Sequence, residues 1–381
     1  MLLHGIFPPI TTPFYPDGRV YLRKLEHNVE RYSKTPVAGM VALGSTGEAI
    51  MLSDEERREV LKVTRQACVP HKILIAGTGA ESAIETLRLT GYAAELGYDA
   101  ALIRTPFFYQ SRMQPANMLA FYRTVADRSP IPVMIYNVPV FTKYDIPAEL
   151  VAELAGHPNI LGIKESGGEV EKVRRMVELT RHIKRSTTVT ETFAAVTDRM
   201  LRAEVKETDL NKELVSIGGL TASPNEAAKL RSAGPFDFAQ GRLAGAPVPT
   251  RFSSSAVTTI GNLKIRQKEV GFQVLVGVAH KLLPSLEAGA TGAILAFAAP
   301  APTACYEIYA AWKEGDSELA RLKQERISAS SYRVAGELGI PALKYASDLN
   351  GYYGGPPRLP LLPLTGEQKA EIERWMSDIR N

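Results

Sequence analysis

The sequence predicts a (β/α)₈ barrel, and three observations carry the prediction. Eight short strand-like runs alternate with helical patterns along the 381-residue chain, which suits a barrel better than an open doubly wound sheet. An apolar run that feeds a helix through a short glycine turn, as within residues 159–183, is the pattern of a parallel α/β unit. One long interval without sustained periodicity interrupts the alternation, and its removal leaves a length within the usual barrel range.

The runs lie at residues 5–11, 37–43, 72–77, 100–104, 132–136, 160–164, 272–277 and 292–297. Between them, Ser53 with Glu56 and Ser82 with Glu85 match the capping box, in which a hydroxyl and a carboxylate satisfy orphan amides reciprocally. In the sixth run, NILGIKESGG, the β-formers Ile160, Leu161 and Ile163 precede Gly167-Gly168 and the helical pattern EVEKVRRMVELTRHI. Strict alternation turns Leu161 and Ile163 toward the helices, and Ile160, Gly162 and Lys164 toward the barrel interior. A lysine is almost never fully buried without a reason. Taken alone, this segment favours a strand-end lysine that snorkels to water; the rest of the chain reverses that weighting.

The abnormal interval separates the helix that ends near Ile183 from the strand that begins at Phe272. It holds SAGPFDFAQGRLAGAPVPTRFSSSAVTTIG, rich in Gly, Ala, Ser and Pro. The expected organisation is a discontinuous barrel of residues 1–184 and 271–302, an irregular insertion at 185–270 and a C-terminal helical extension at 303–381. The extension includes a Thr365/Gln368 start signal before its last helix. The insertion falls in the connection from the sixth helix to the seventh strand, and such connections lie on the N-terminal face, opposite the active-site loops. A partner-binding lobe is one reading of it. The favoured one is a poorly ordered insertion, tolerated because loop-closure cost grows slowly with length.

Composition narrows the function classes. The hydrophobic fraction of 45% and charged fraction of 23% are those of a soluble globular protein. No apolar stretch reaches the length of a membrane span, and the opening MLLHGIFPPITTPF has no signal-peptide features, so neither membrane nor leader is expected. The net charge of +4 is dispersed, without the basic stripe that nucleic-acid binding needs. Two cysteines, Cys68 and Cys305, make neither a disulfide framework nor a zinc knuckle, and a cytoplasmic setting is the default.

A barrel holds its chemistry at the C-terminal strand ends. Here these are Thr11-Thr12, GSTGE (44–48), GTG (77–79), TPFFY (105–109), YNVP (136–139), KES (164–166) and Gly277. Hydroxyls, a tyrosine and one lysine converge, whereas the six histidines are scattered singly, so no metal site is expected. Gly77-Thr78-Gly79 reads as a tight turn, since GxG without the rest of the fingerprint is weak evidence for a dinucleotide. A buried lysine among hydroxyls suits Schiff-base chemistry, because desolvation favours the neutral amine that attacks a ketone.

GSTGE after strand two, YNVP after strand five and GIKES on strand six together resemble the dihydrodipicolinate synthase/N-acetylneuraminate lyase family, over residues 5–184 and 271–375. The resemblance implies a pyruvate-type Schiff base on Lys164 with Tyr136 as proton shuttle, relayed through Thr46. It implies that Ser45 and Thr46 bind the 2-oxo acid carboxylate, that Gly277 lines the pocket, and that the reaction needs no cofactor. A homo-oligomer, dimer or tetramer, is also implied. Within the family, PPITTPF, QSRM, HPNILGIKESGG and GYYGGPPRLPL are most similar to 4-hydroxy-2-oxoglutarate aldolase. An arginine that dihydrodipicolinate synthases usually carry after YNVP, to meet a substrate carboxylate, is Phe141 here. The family's second relay tyrosine aligns with Phe108, so Tyr109, one position on, either substitutes for it or the relay is shortened.

The expected activity is therefore a metal-free class I lyase that cleaves 4-hydroxy-2-oxoglutarate to pyruvate and glyoxylate. The runner-up is dihydrodipicolinate synthase chemistry, the condensation of pyruvate with aspartate semialdehyde. The rival from another class is a catalytically silent barrel, or a family member damaged by its insertion.

Overall fold

The computed structural model describes residues 1–204 and 257–379. Eight parallel strands form one sheet: β1 (Gly5–Ile6), β2 (Gly39–Ala42), β3 (Ile73–Gly77), β4 (Ala100–Arg104), β5 (Val133–Asn137), β6 (Ile160–Glu165), β10 (Gln273–Val276) and β11 (Gly292–Ala293). Their order is β1-β11-β10-β6-β5-β4-β3-β2. Hydrogen bonds from Ala38 N–H to Ile6 O (3.0 Å) and from Val41 N–H to Pro8 O (3.0 Å) join the first strand to the second and close the barrel. Every expected strand is present. The first and the last are the shortest, at two residues each, and the first stops early because Pro8 and Pro9 have no N–H to continue the ladder.

Helices follow the strands as an outer layer, from Leu22–Ser33 after β1 to Pro302–Glu314 after β11. Ser53 and Glu56 make the expected capping box, as do Thr365 and Gln368. Ser82 accepts the Glu85 N–H, but the Glu85 carboxylate turns to Arg88 instead. The helix Pro302–Glu314, assigned by sequence to the extension, packs on β1 as the last helix of the outer layer. Three further helices, Ser317–Ser331, Gly339–Leu349 and Gly366–Trp375, follow it. Among the described residues no helix is long and apolar enough to cross a membrane.

The core has two layers. Phe7, Val41, Ile75, Leu102, Met134 and Leu275 fill the barrel interior, while Ile103, Ile135, Ile163 and Val274 face the helices. One expected orientation is reversed. Ile160 packs in the helix-facing layer and Leu161 in the interior. The cause is a register shift: Val133 pairs with Ile160 but Met134 pairs with Gly162, so Leu161 is the extra residue of a bulge that restarts the alternation. Past the bulge, Ile163 faces outward and Lys164 inward, as expected.

The insertion needs a larger correction. Residues 185–190 and 258–270, expected to be irregular, form an antiparallel sheet of β7 (Arg185–Thr190), β8 (Thr258–Ile260) and β9 (Leu263–Val270), in the order β7-β9-β8. RSTTVT is rich in β-branched residues, and its Thr187 and Val189 are buried on one face, so its period of two is real but short. Residues 205–256, the interior of the insertion, lie outside the described residues. The described ends sit on the N-terminal face. The Arg185 guanidinium donates to the carbonyls of Ala155, His157 and Ile160 at the start of β6 (2.5, 2.8 and 2.6 Å). Arg199 donates to Lys72 O (2.6 Å) and pairs with buried Asp99 (2.8 Å), at the starts of β3 and β4.

Candidate active site

Register brings the site together. Tyr136 on β5 is directly opposite Lys164 on β6, so both side chains point into the same end of the barrel. Lys164 is only 4% exposed, and its Nζ lies 4.1 Å from the centroid of the Tyr136 ring, a cation–π distance. The bland alternative, a lysine snorkelling to water, does not fit that burial. The Tyr136 hydroxyl in turn lies 3.2 Å from Ser45 Oγ. Ser45 is thus the hydrogen-bond partner of Tyr136, and Thr46, expected to relay its proton, is buried beside it in the same turn.

That turn, Ser45–Gly47, is a single 3₁₀ turn between two left-handed non-glycine residues, Leu43 (φ 57°) and Glu48 (φ 53°). Such conformations cost on the order of 1–3 kcal/mol each and persist only where the surroundings over-determine them. The turn's internal bonds run from Gly47 N–H to Gly44 O and from Glu48 N–H to Ser45 O (both 3.0 Å). The earlier amides of Ser45 and Thr46 begin the turn and have no acceptor within it.

Gly277 follows β10, where its N–H donates to Glu165 O (2.7 Å). A Cβ there would stand 1.8 Å from Ser166 Oγ, so only glycine admits this approach of the two strand ends. Sequence reasoning passed over Ser166, although KES contains it. Its Oγ is buried without a hydrogen-bond partner, as are Thr11 Oγ1 and Thr105 Oγ1, which also sit at C-terminal strand ends. Unpartnered buried hydroxyls are costly unless something else satisfies them, and a bound substrate can do so.

Behind the site, YNVP and KES are tied to each other. Buried Glu165 accepts from Asn137 Nδ2 at both oxygens (3.1 and 2.8 Å) and from Gly167 N–H (2.5 Å). Burial pushes the Glu165 carboxyl above its usual range, against the pull of Lys172, whose Nζ is 3.5 Å away. Another lysine, Lys344, is wholly buried and pairs with Glu48 of the GSTGE motif at 2.7 Å. Sequence reasoning did not pick it out.

Two expected positions stay apart from this centre. Tyr109 is 67% exposed and stacks edge-on against exposed Phe108, with ring centroids 5.1 Å apart. Phe141 is exposed in the turn Pro139–Thr142. Beside the centre, a cavity of about 390 Å³ reaches Ser45 and Tyr136 between Gly79, Glu81 and Arg104. Among the described residues no group of three or more His, Cys, Asp or Glu side chains is gathered as a metal site.

Comparison with known proteins agrees with this geometry. The chain is 28% identical over 372 residues to 4-hydroxy-tetrahydrodipicolinate synthase of Methanothrix thermoacetophila, covering 97% of this chain and 95% of that protein. It is 41% identical over 179 residues to the synthase of the same name from Xanthomonas axonopodis pv. citri, covering 47% of this chain and 59% of that one. Dihydrodipicolinate synthase of Bacillus anthracis shares the fold at a TM-score of 0.72, with 21% identity and full coverage of both chains. So does a prophage protein of the dihydrodipicolinic acid synthase family from E. coli K12, solved in complex with pyruvate (TM-score 0.70, 23% identity, 100% and 99% coverage). A model of the dihydrodipicolinate synthetase family matches residues 2–203 and 251–379, and with the lysine, tyrosine and hydroxyl turn in place on the expected strands, the chain belongs to that family.

Proposed function

We propose that this chain forms a Schiff base between Lys164 and a 2-oxo acid of the pyruvate type, and makes or breaks a carbon–carbon bond through it. The observation that carries the reading is one row of groups: Lys164 Nζ over the Tyr136 ring, and the Tyr136 hydroxyl on Ser45. The Lys164 amine adds to the C2 carbonyl to give a carbinolamine, which loses water to an iminium. In the cleavage direction the iminium accepts the electron pair of the C3–C4 bond, while Tyr136 takes the proton from the C4 hydroxyl. The aldehyde leaves, the enamine is protonated at C3, and water releases pyruvate. Condensation is the reverse, with the enamine attacking an aldehyde. Ser45 carries the proton to or from Tyr136. The amides and hydroxyls of Ser45 and Thr46 receive the substrate carboxylate, beside Gly277 and the free hydroxyl of Ser166. This chemistry uses no metal and no cofactor. With it goes the expectation of a cytoplasmic homo-oligomer, dimer or tetramer, and Tyr109 enters the relay only if its exposed loop moves.

The names of the relatives support condensation with aspartate semialdehyde, the reaction of a 4-hydroxy-tetrahydrodipicolinate synthase. One observation favours cleavage of 4-hydroxy-2-oxoglutarate instead: Phe141 offers an acceptor carboxylate neither charge nor donor. Borohydride trapping with pyruvate is expected to add a reduced pyruvyl group to the Lys164 peptide, and Lys164→Arg to abolish it. Labelling at another lysine overturns the assignment, and no labelling favours a silent barrel. Rates with aspartate semialdehyde and with 4-hydroxy-2-oxoglutarate then separate the two acceptors. A lost charge-assisted hydrogen bond is worth about 1.5–3 kcal/mol, enough to decide the comparison.

A further inference from the structure

The proposed reaction gives Lys344 no part, yet its side chain is 0% exposed and lies at the mouth of the barrel. Its Nζ donates to Glu48 Oε1 (2.7 Å) and to Thr12 O (2.8 Å), and it lies 4.3 Å from the centroid of the Phe14 ring. An ammonium held on three sides is not a spare nucleophile. The second oxygen of Glu48 accepts the N–H of Arg358 (2.8 Å). Both oxygens of one buried carboxylate are thus held by the C-terminal extension. The other side of the turn is held through Thr12, whose Oγ1 donates to Gly47 O (2.7 Å) while its own carbonyl accepts from Lys344.

These bonds converge on the segment whose backbone most needs holding. Glu48 is left-handed (φ 53°), and it closes the turn that carries Ser45 and Thr46. A buried ion pair adds little net stability over apolar packing, but it does fix register, because a charge without its partner is strongly disfavoured.

We propose that Lys344, acting through Glu48, is a positioning residue that aims the Ser45-Thr46 turn at the carboxylate of the 2-oxo acid. The C-terminal extension then does more than cover the barrel: it tunes recognition of the substrate's acid group. This rests on the proposed function, since it assumes that the turn binds that carboxylate.

The test compares pyruvate with methyl pyruvate, which keeps the ketone but lacks the negative charge. Adduct formation at Lys164 is followed by borohydride trapping across a concentration series, in the parent protein and in Lys344→Met and Glu48→Gln. In the variants the half-saturating pyruvate concentration is expected to rise roughly 10- to 100-fold, the scale of a misplaced binding group. The methyl pyruvate series should stay within about twofold of the parent, and trapping should still occur on Lys164 when pyruvate is saturating. If Lys344→Met does not fold, Glu48→Gln, which keeps the shape and the Arg358 contact, carries the same test. Equal losses for acid and ester would show a merely structural pair, and unchanged pyruvate saturation would show no role; either overturns the inference. A parent that traps nothing at Lys164 overturns the proposed function and this inference with it, whereas a trapping parent isolates the fate of the inference.

Discussion

Tyr136 joins the amine to the hydroxyl turn: its ring lies under Lys164 Nζ and its hydroxyl meets Ser45. Removing that hydroxyl leaves the ring and the packing in place, so Tyr136→Phe isolates proton transfer. The expected result is a kcat lower by about 10²- to 10⁴-fold, the usual range for a positioned acid–base group. The Lys164 adduct should still form, because the nucleophile is untouched. An unchanged kcat would place proton transfer elsewhere, with Ser166 the next group to examine. Glycine at 277 is a different kind of requirement. It adds no chemistry, but any Cβ would collide with Ser166 Oγ at 1.8 Å and push the two strand ends apart.

Among the elements, the insertion behaves differently from its composition. Its described ends form a sheet, and its arginines satisfy carbonyls and one carboxylate at the N-terminal face of the barrel. Asp99 has 2% of its side chain exposed and also accepts Leu74 N–H (2.9 Å), so it cannot turn to water if its partner is lost. Arg199→Met is therefore expected to cost about 3–5 kcal/mol, the penalty for stranding a buried charge. Denaturant midpoints measure it, and a cost under about 1 kcal/mol would show that Asp99 is relaxed by other means. Adduct formation should not change, since Lys164 is at the opposite end. Deleting residues 185–270 removes Arg185 and Arg199 together, so a stabilising deletion, attractive from composition alone, is not expected.

For the whole molecule, acid is a predicted weakness centred on the start of β1. Burial lowers the His4 pKa to about 4, with Lys268 of β9 and Lys313 of the helix Pro302–Glu314 adding to the shift. The unfolded chain binds that proton near pH 6.5, so below this value protons favour unfolding. The His4 contribution is complete above about pH 6.5 and is lost as pH falls toward about 4, to a total of at most about 3 kcal/mol. His4→Gln should flatten the stability profile across that window, as read by thermal midpoints at a series of pH values. An unaltered slope would assign the acid sensitivity to other groups.

Much of this was legible in the chain itself. Apolar runs punctuated by glycine located all eight barrel strands, because burial on both faces of a parallel sheet demands such runs. Lys164 stood out because a charge inside a run of that kind contradicts its surroundings. Ser53 and Thr365 announced their helices, since a cap is a contact between residues three apart. What stayed hidden depended on distant partners. The bulge that turned Leu161 inward is a register shift against β5, and register belongs to two strands at once. The strands at the ends of the insertion are largely polar and become a sheet only by pairing with each other. Ser45 met Tyr136 across 91 residues, and Lys344 met Glu48 across 296. Periodicity and capping are local, and so the sequence alone determined the strands, the helix starts and the out-of-place lysine. Which hydroxyl meets the tyrosine, and which charge is held at the turn, were decided only when the closed barrel and its C-terminal extension brought those side chains within hydrogen-bond distance.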